Sequence, residues 1–442
     1  MLASEILKKV LENKFDEAVV STYDSNSIYV KIANHKVDSV VEENGSGGGI
    51  YVTKDKRIAF TNIMSLDEKG VQIGIENLKT ALAHSMPKED YFGIAEGGYE
   101  YKSKSTYDTR IADIGPDQAA SLANDFISKV NASDIAGTLY LSKAELGLAT
   151  SNGVDVSTKS TAGRLSLRIF AKNLSFQDSV ASRKLSGISL KSITDSAKIL
   201  EYANKTSKIK PGSYDIIYSR APAGSLLSTV NSMACIGEVE SGGFLTGKLG
   251  NFVADKGLSL YDDGISADGV QSSPFDDEGY PTQKTKFIDN GKLVSYLHNY
   301  STARKYNVKS TGNAGLVEPE SNTLVVDHKK KQNLDKLIEG IDKGLLVSNV
   351  WYTRFSNYLT GDFSTMPKDI TLYIENGNPV FAVRQINISS GVGIRINDNM
   401  LRMLKNITKV GNDLAQSTSW DSEDEYYFTP SIIVNKVKVS TA

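Results

Sequence analysis

Asp262, Asp263, Asp276, Asp277 and Glu278 stand close together along the chain. Carboxylates grouped in this way could hold a hard cation or supply a general acid–base pair. Asp-Asp-Gly and Asp-Asp-Glu-Gly are also what loops between short strands contain, and the loop reading is the expectation. The chemical alternative joins Asp276, Asp277, Glu278 and His298 around a metal ion in a hydrolase that works by itself; a non-enzymatic binding or scaffold protein is the other alternative. Gly45-Ser46-Gly47-Gly48-Gly49 could cradle a phosphate through backbone N–H groups. It lacks the Lys-Ser/Thr ending of a phosphate loop and precedes a strand, so it predicts a turn. Ser225 follows Gly224 at a helix start but lacks the second glycine of a nucleophile elbow. Cys235, inside Met233-Ala234-Cys235-Ile236, reads as a small core residue rather than a thiolate nucleophile. His298 has no second histidine close by and reads as structural; His84 is placed to complement a helix C-terminus.

The elements that must position these groups form an α+β pattern. Leu2, Ile6, Leu7, Val10 and Leu11 recur at helical spacing and predict an opening helix packed through that face. Strands are predicted over residues 18–23, 27–33, 37–42, 50–53 and 57–61 as an antiparallel meander. A Ser65/Glu68 capping box then starts a helix running towards Met86. Residues 88–113 read as an extended connection, and Pro116 opens a helix to about Val130. Strands near 138–142 and 148–150 lead to Asn152-Gly153, a type I′ hairpin signal, with a return strand over 154–171. A helix over 193–203 precedes a boundary at Ile209-Lys-Pro-Gly212. Beyond it come a strand over 214–219, a helix from Pro222 to about Ile236, and short strands with Asn290-Gly291 and Asn376-Gly377 hairpins. A helix over 399–410 and a strand over 430–439 close the chain. The expected domains are 1–112, helices on a small, mostly antiparallel sheet; 113–210, a central α+β segment packed with it; and 211–442, β-rich and barrel- or sandwich-like with a few helices.

The 442 residues include 50 Lys+Arg and 52 Asp+Glu, a formal net charge of −2. This balance argues against direct nucleic-acid binding, which draws on accumulated positive charge. A single cysteine and four histidines exclude an intrachain disulfide framework and any Cys-rich zinc or iron–sulfur cluster. No apolar run approaches the ~20 residues that cross a bilayer, and the start lacks the apolar core of a secretory signal. The expectation is a cytoplasmic protein without membrane contact.

The second half carries a resemblance. Ser273-Pro-Phe-Asp-Asp-Glu-Gly279, Phe287-Ile-Asp-Asn-Gly-Lys-Leu293, Ser301-Thr-Ala-Arg304 and Ser310-Thr-Gly-Asn-Ala-Gly315 occur in an order and spacing that resemble the TldD/PmbA family, historically labelled modulators of DNA gyrase. Gly247-Lys-Leu-Gly250, Tyr358-Leu-Thr-Gly-Asp-Phe363, Ile374-Glu-Asn-Gly377 and Val410-Gly-Asn-Asp-Leu414 extend it. Gly49-Ile-Tyr-Val52 and Arg57-Ile-Ala-Phe60 agree more loosely. The resemblance implies two kinds of chain. TldD-like chains carry a His-Glu-x-x-x-His zinc peptidase helix and a late cysteine; PmbA- or TldE-like chains lack them and serve as the non-catalytic partner. Counting back from Gly247, the motif falls on residues 226–233. Ser228 and Met233 then stand at the histidine positions and Thr229 at the glutamate position, and no cysteine follows Leu414. Hydroxyls are poor zinc ligands and no general base at neutral pH. The resemblance therefore implies a PmbA/TldE-like member with no cofactor of its own. Zinc is expected only in a TldD-like partner, the partner chain is that peptidase subunit or a second copy of this chain, and the substrate is an unfolded peptide.

Overall fold

A computed structural model describes residues 1–101, 106–202, 205–383, 393–420, 422 and 425–441. Its first layer is a six-stranded antiparallel sheet of β1 (Glu17–Ala33), β2 (Lys36–Lys54), β3 (Arg57–Ile63), β4 (Asp134–Thr150), β5 (Asp155–Ala171) and β6 (Leu174–Ser182), in the order β3-β2-β1-β4-β5-β6. The short strands expected from the sequence are pieces of longer ones. Residues 18–23 and 27–33 are one strand, as are 37–42 with 50–53 and 138–142 with 148–150. Each long strand serves a separate core at either end. Helices α1 (Ala3–Leu11) and α2 (Glu68–His84) cover Ala18, Val20, Ile50, Val52 and Ala149, whereas the helix Pro116–Ser128 covers Ile28, Val30, Ile32, Leu139 and Leu141. Between the two lies a polar span such as Tyr23–Ser27, where apolar alternation, the usual strand signal, is missing.

The glycine run 45–49 is not a turn. It lies inside β2, paired from Ser25 opposite Gly45 to Ser21 opposite Gly49. A Cβ on Gly48 would sit 2.2 Å from the Ser21 carbonyl oxygen, and one on Gly47 2.9 Å from that of Ile63, so close backbone approach is what glycine allows here. Other boundaries also move. Asp67, not Ser65, caps α2 by accepting from the Gly70 N–H at 2.7 Å. Only Gly153 of the Asn152-Gly153 pair takes positive φ, so the β4–β5 hairpin is not a type I′ turn. Leu2 and Leu11 are exposed, while Ile6, Leu7 and Val10 are buried. In place of a single helix over 193–203, an α-helix spans Leu190–Ala197 and gives way to a 3-10 turn over Lys198–Tyr202, residue 203 lying outside the described residues. Within 399–410, the helix Met400–Asn406 yields to a strand, Ile407–Gly411. Both Asn-Gly hairpins of the second half are present with positive φ at all four residues.

The second half is β-rich and contains a closed five-stranded barrel. Gly212–Tyr218 pairs with Lys343–Asn357, which pairs with Asp362–Glu375, then Ile394–Asn399, then Ile432–Thr441, which returns to Gly212–Tyr218. Strand alternation sends its side chains into two cores. Tyr214, Ile216 and Tyr218 join the buried helix Arg220–Met233, and Ile217, Leu346 and Ile433 join the cluster that reaches β1 and β4–β6. A further sheet, containing Leu258–Asp263 and Leu324–His328, flanks the helix. The two halves are also tied by a buried ion pair: Arg220 at the helix start donates to Asp178 of β6 through Nη2 at 2.5 Å and Nε at 3.3 Å, and to the Ser192 hydroxyl. The overall class is α+β.

Candidate functional site

The helix Arg220–Met233 is apolar on most of its circumference and polar where Ser228, Asn231 and Ser232 recur at helical spacing. That polar strip, continued by Cys235 and Glu238, forms one wall of a cavity of about 310 Å³. Pro319, Glu320, Ser321 and Asn322 also line it, together with Gln271, Leu324, Glu425, Tyr426 and Tyr427. Beneath it lies Asp262, completely shielded from solvent. Its Oδ1 accepts from Asn231 Nδ2 at 3.0 Å and the Asn322 backbone N–H at 2.6 Å; its Oδ2 accepts from Asn313 Nδ2 at 2.7 Å and Asn322 Nδ2 at 3.0 Å. Burial pushes the Asp262 carboxyl up while these amide donors oppose it. Three asparagines thus fasten the strand Leu258–Asp263 to the helix and to the facing loop. Sequence reading singled out Asp262 but missed the asparagines, whose separation along the chain gives no local signal.

Of the residues at the degenerate zinc-motif positions, Ser228 lines the cavity, and its hydroxyl donates to the Ser225 carbonyl at 3.1 Å. Thr229 is half-buried on the same helix. Met233 is 7% exposed and packs in the main apolar core. Five residues turn a helix well past one face, so Ser228 and Met233 point to different surroundings. A zinc site wants nitrogen, thiolate or carboxylate donors converging on one point. A hydroxyl bonded back to its own helix, a core thioether and a carboxylate already holding four N–H donors do not fit that ion. Cys235 is buried in the core, where burial and the charges of Asp262, Glu238 and Glu320 push its thiol up, the opposite of an activated nucleophile.

The alternative metal set does not assemble. Among the described residues, no three His, Cys, Asp or Glu side chains gather into a group able to hold a metal ion. Asp276 is consumed by its own loop: its oxygens accept from the backbone N–H groups of Glu278, Tyr280 and Ala314. Glu278 turns to the Tyr300 N–H, Asp277 points to solvent, and His298 is buried beside the Tyr306 ring. Desolvation drops the His298 imidazole to about 4, so it stays neutral at physiological pH. Ser225 is half-buried on the helix, and exposed His84 closes the last turn of α2.

Asp276 and Glu278 form a buried carboxyl pair where the 273–282 loop meets the first sheet; Tyr101 donates to the Gly279 carbonyl at 2.7 Å. Burial raises both, Asp276 to about 7, and their mutual repulsion raises Glu278 further. The folded protein keeps a proton that the unfolded chain releases near pH 4.5, so this pair makes stability fall as pH rises from about 4.5 to 7. Melting temperature measured from pH 5 to 8 is expected to decline, and Glu278→Gln to flatten that decline by at least half. An unchanged slope in the variant would place the responsible groups elsewhere.

The chain is thus an α+β protein in which a long antiparallel sheet joins a closed five-stranded barrel and a buried helix opens on a polar cavity. The chain belongs to the PmbA/TldD family. The model of the PmbA/TldA metallopeptidase C-terminal domain matches residues 211–441, and that of PmbA/TldA metallopeptidase domain 1 matches residues 18–84. The crystal structure of TldE from Thermococcus kodakarensis superposes with a TM-score of 0.83 at 22% identity, covering 99% of this chain and 100% of that one. An uncharacterized protein of Methanocaldococcus jannaschii is 26% identical over 84% of this chain and 88% of its own length. A metalloprotease PmbA homologue of Haemophilus influenzae is 29% identical over 45% of this chain; the match spans 39% of that protein's length. No helix among the described residues is long and apolar enough to cross a membrane.

Proposed function

We propose that this chain is a metal-free PmbA/TldE-like subunit that acts with a TldD-like zinc peptidase in the proteolysis of unfolded peptides in the cytoplasm. In this reading it contributes an interface and part of the substrate chamber, while the partner supplies zinc and the general base. One observation carries the reading: at the expected position of the zinc motif stand a back-bonded Ser228, a half-buried Thr229 and a core-packed Met233. Family membership supplies the context; the TldE likeness at 22% identity supports the fold alone.

The test uses the full chain, alone and mixed with candidate TldD-like chains. The chain alone is expected to hold no stoichiometric zinc and to cleave no peptide. A one-to-one complex by native mass and chelator-sensitive cleavage are expected on mixing. Peptide cleavage by the isolated chain, or a mixture no more active than the TldD-like chain alone, would overturn the proposal.

A further inference from the structure

We infer that the cavity beside Ser228 binds the basic side chain, Lys or Arg, of an extended peptide. This deepens the subunit reading above and rests on it for the identity of the ligand as a peptide. Three carboxylates, Glu238, Glu320 and Glu425, line the cavity, and among the described residues no lysine, arginine or histidine does. Glu320 acts on the Asp277 carboxyl, and Asp262, Glu238 and Glu320 all act on the Cys235 thiol, each disfavouring a further negative charge. Electrostatics on the walls therefore select a cation.

A second observation is independent of charge. Asn231 is 2% exposed and lines the cavity; its Nδ2 is committed to Asp262, and its Oδ1 has no hydrogen-bond partner. A buried acceptor without a donor is costly, and an entering N–H group would satisfy it. The Ser228, Ser232 and Ser321 hydroxyls and the Asn322 amide add polar lining beside Tyr426 and Tyr427. A volume of about 310 Å³ is at the small end of ligand pockets, enough for one long side chain. Acceptors and carboxylates around a narrow space match a guanidinium or ammonium on an aliphatic stem.

Calorimetric titration of the chain alone with Nα-acetyl-arginine amide and its neutral isostere Nα-acetyl-citrulline amide tests this. The arginine probe is expected to bind at least about tenfold more tightly, with affinity falling as salt rises. Glu238→Gln/Glu320→Gln, which changes only exposed lining residues, should weaken it about tenfold and blunt the salt dependence. Asn231→Leu, checked for an intact fold by its melting curve, should abolish binding. Equal affinity for the two probes, no arginine binding at millimolar concentration, or an unaffected double variant would overturn the inference. Spermidine binding more tightly than the arginine probe would do so too, by identifying a free polyamine as the ligand. Because no partner chain is involved, failure here leaves partner-dependent peptidase activity standing, and failure of that activity leaves a measured affinity standing.

Discussion

Arg220→Met is expected to destabilise the chain by about 3–5 kcal/mol at pH 7.5, the range for removing one partner of a buried ion pair. Arg220 and Asp178 are 3% and 4% exposed, so the abandoned carboxylate has no water to turn to. Burial already pushes Asp178 up, and the guanidinium opposes that push. Without Arg220 the carboxyl escapes by taking a proton. Holding it near pH 7, some three units above an ordinary carboxyl pKa, costs about 4 kcal/mol at ~1.4 kcal/mol per unit, in agreement with the first figure. The sign follows: the variant's folded state binds a proton that its unfolded state releases above pH 4, so the penalty shrinks on acidification. Chemical denaturation at pH 7.5 and 5.0 should show the deficit at least halved at the lower pH. Arg220→Met/Asp178→Leu should regain most of the lost stability. A deficit independent of pH, or no rescue, would mean that lost packing rather than a stranded charge is responsible.

Gly224→Ala is the second large effect, expected to destabilise by about 3 kcal/mol although alanine is the better helix former by ~1 kcal/mol. The new Cβ would lie 1.9 and 2.0 Å from Cδ2 and Cε2 of Tyr427, far inside van der Waals contact. Tyr427 is 1% exposed and lines the cavity, so its ring or the helix must shift, and the cavity with it. Gly224→Ala/Tyr427→Leu should be more stable than the sum of the single variants predicts, as for two residues contending for one space. Purely additive losses would show that the helix does not approach the ring this closely in solution.

The fold was legible where chemistry is local. Pro116 at a first helical turn and the Asn290-Gly291 and Asn376-Gly377 hairpins are found where the sequence places them, because φ restrictions act within a few residues. Long strands were read in fragments because β1, β2 and β4 cross from one core to another through a polar middle that periodicity cannot detect. The glycine run was misread for a related reason: glycine marks turns by its own flexibility, but here it marks the closeness of Ser21 and Ile63 across the sheet, a non-local fact. Of the three motif positions reached by counting along the chain, only Ser228 lines the cavity, while Met233 packs in the core; Asp262 stands out in the sequence by its acidity. Asn231, Asn313 and Asn322 do not stand out, since only folding brings their amides to one carboxylate. The metal alternative failed because acidic neighbours in sequence turned to different backbone partners.

The shared apolar cluster has a consequence for synthesis on the ribosome. β6 is finished at Ser182, yet Ile433, part of the cluster that covers β5 and β6, is made about 250 residues later, roughly 10–50 s at ~5–20 residues per second. The nascent first sheet therefore waits with one flank greasy and bare until the last staves of the barrel emerge. Such a chain should lean on holdase chaperones throughout that interval and be sensitive to stalling between the two points.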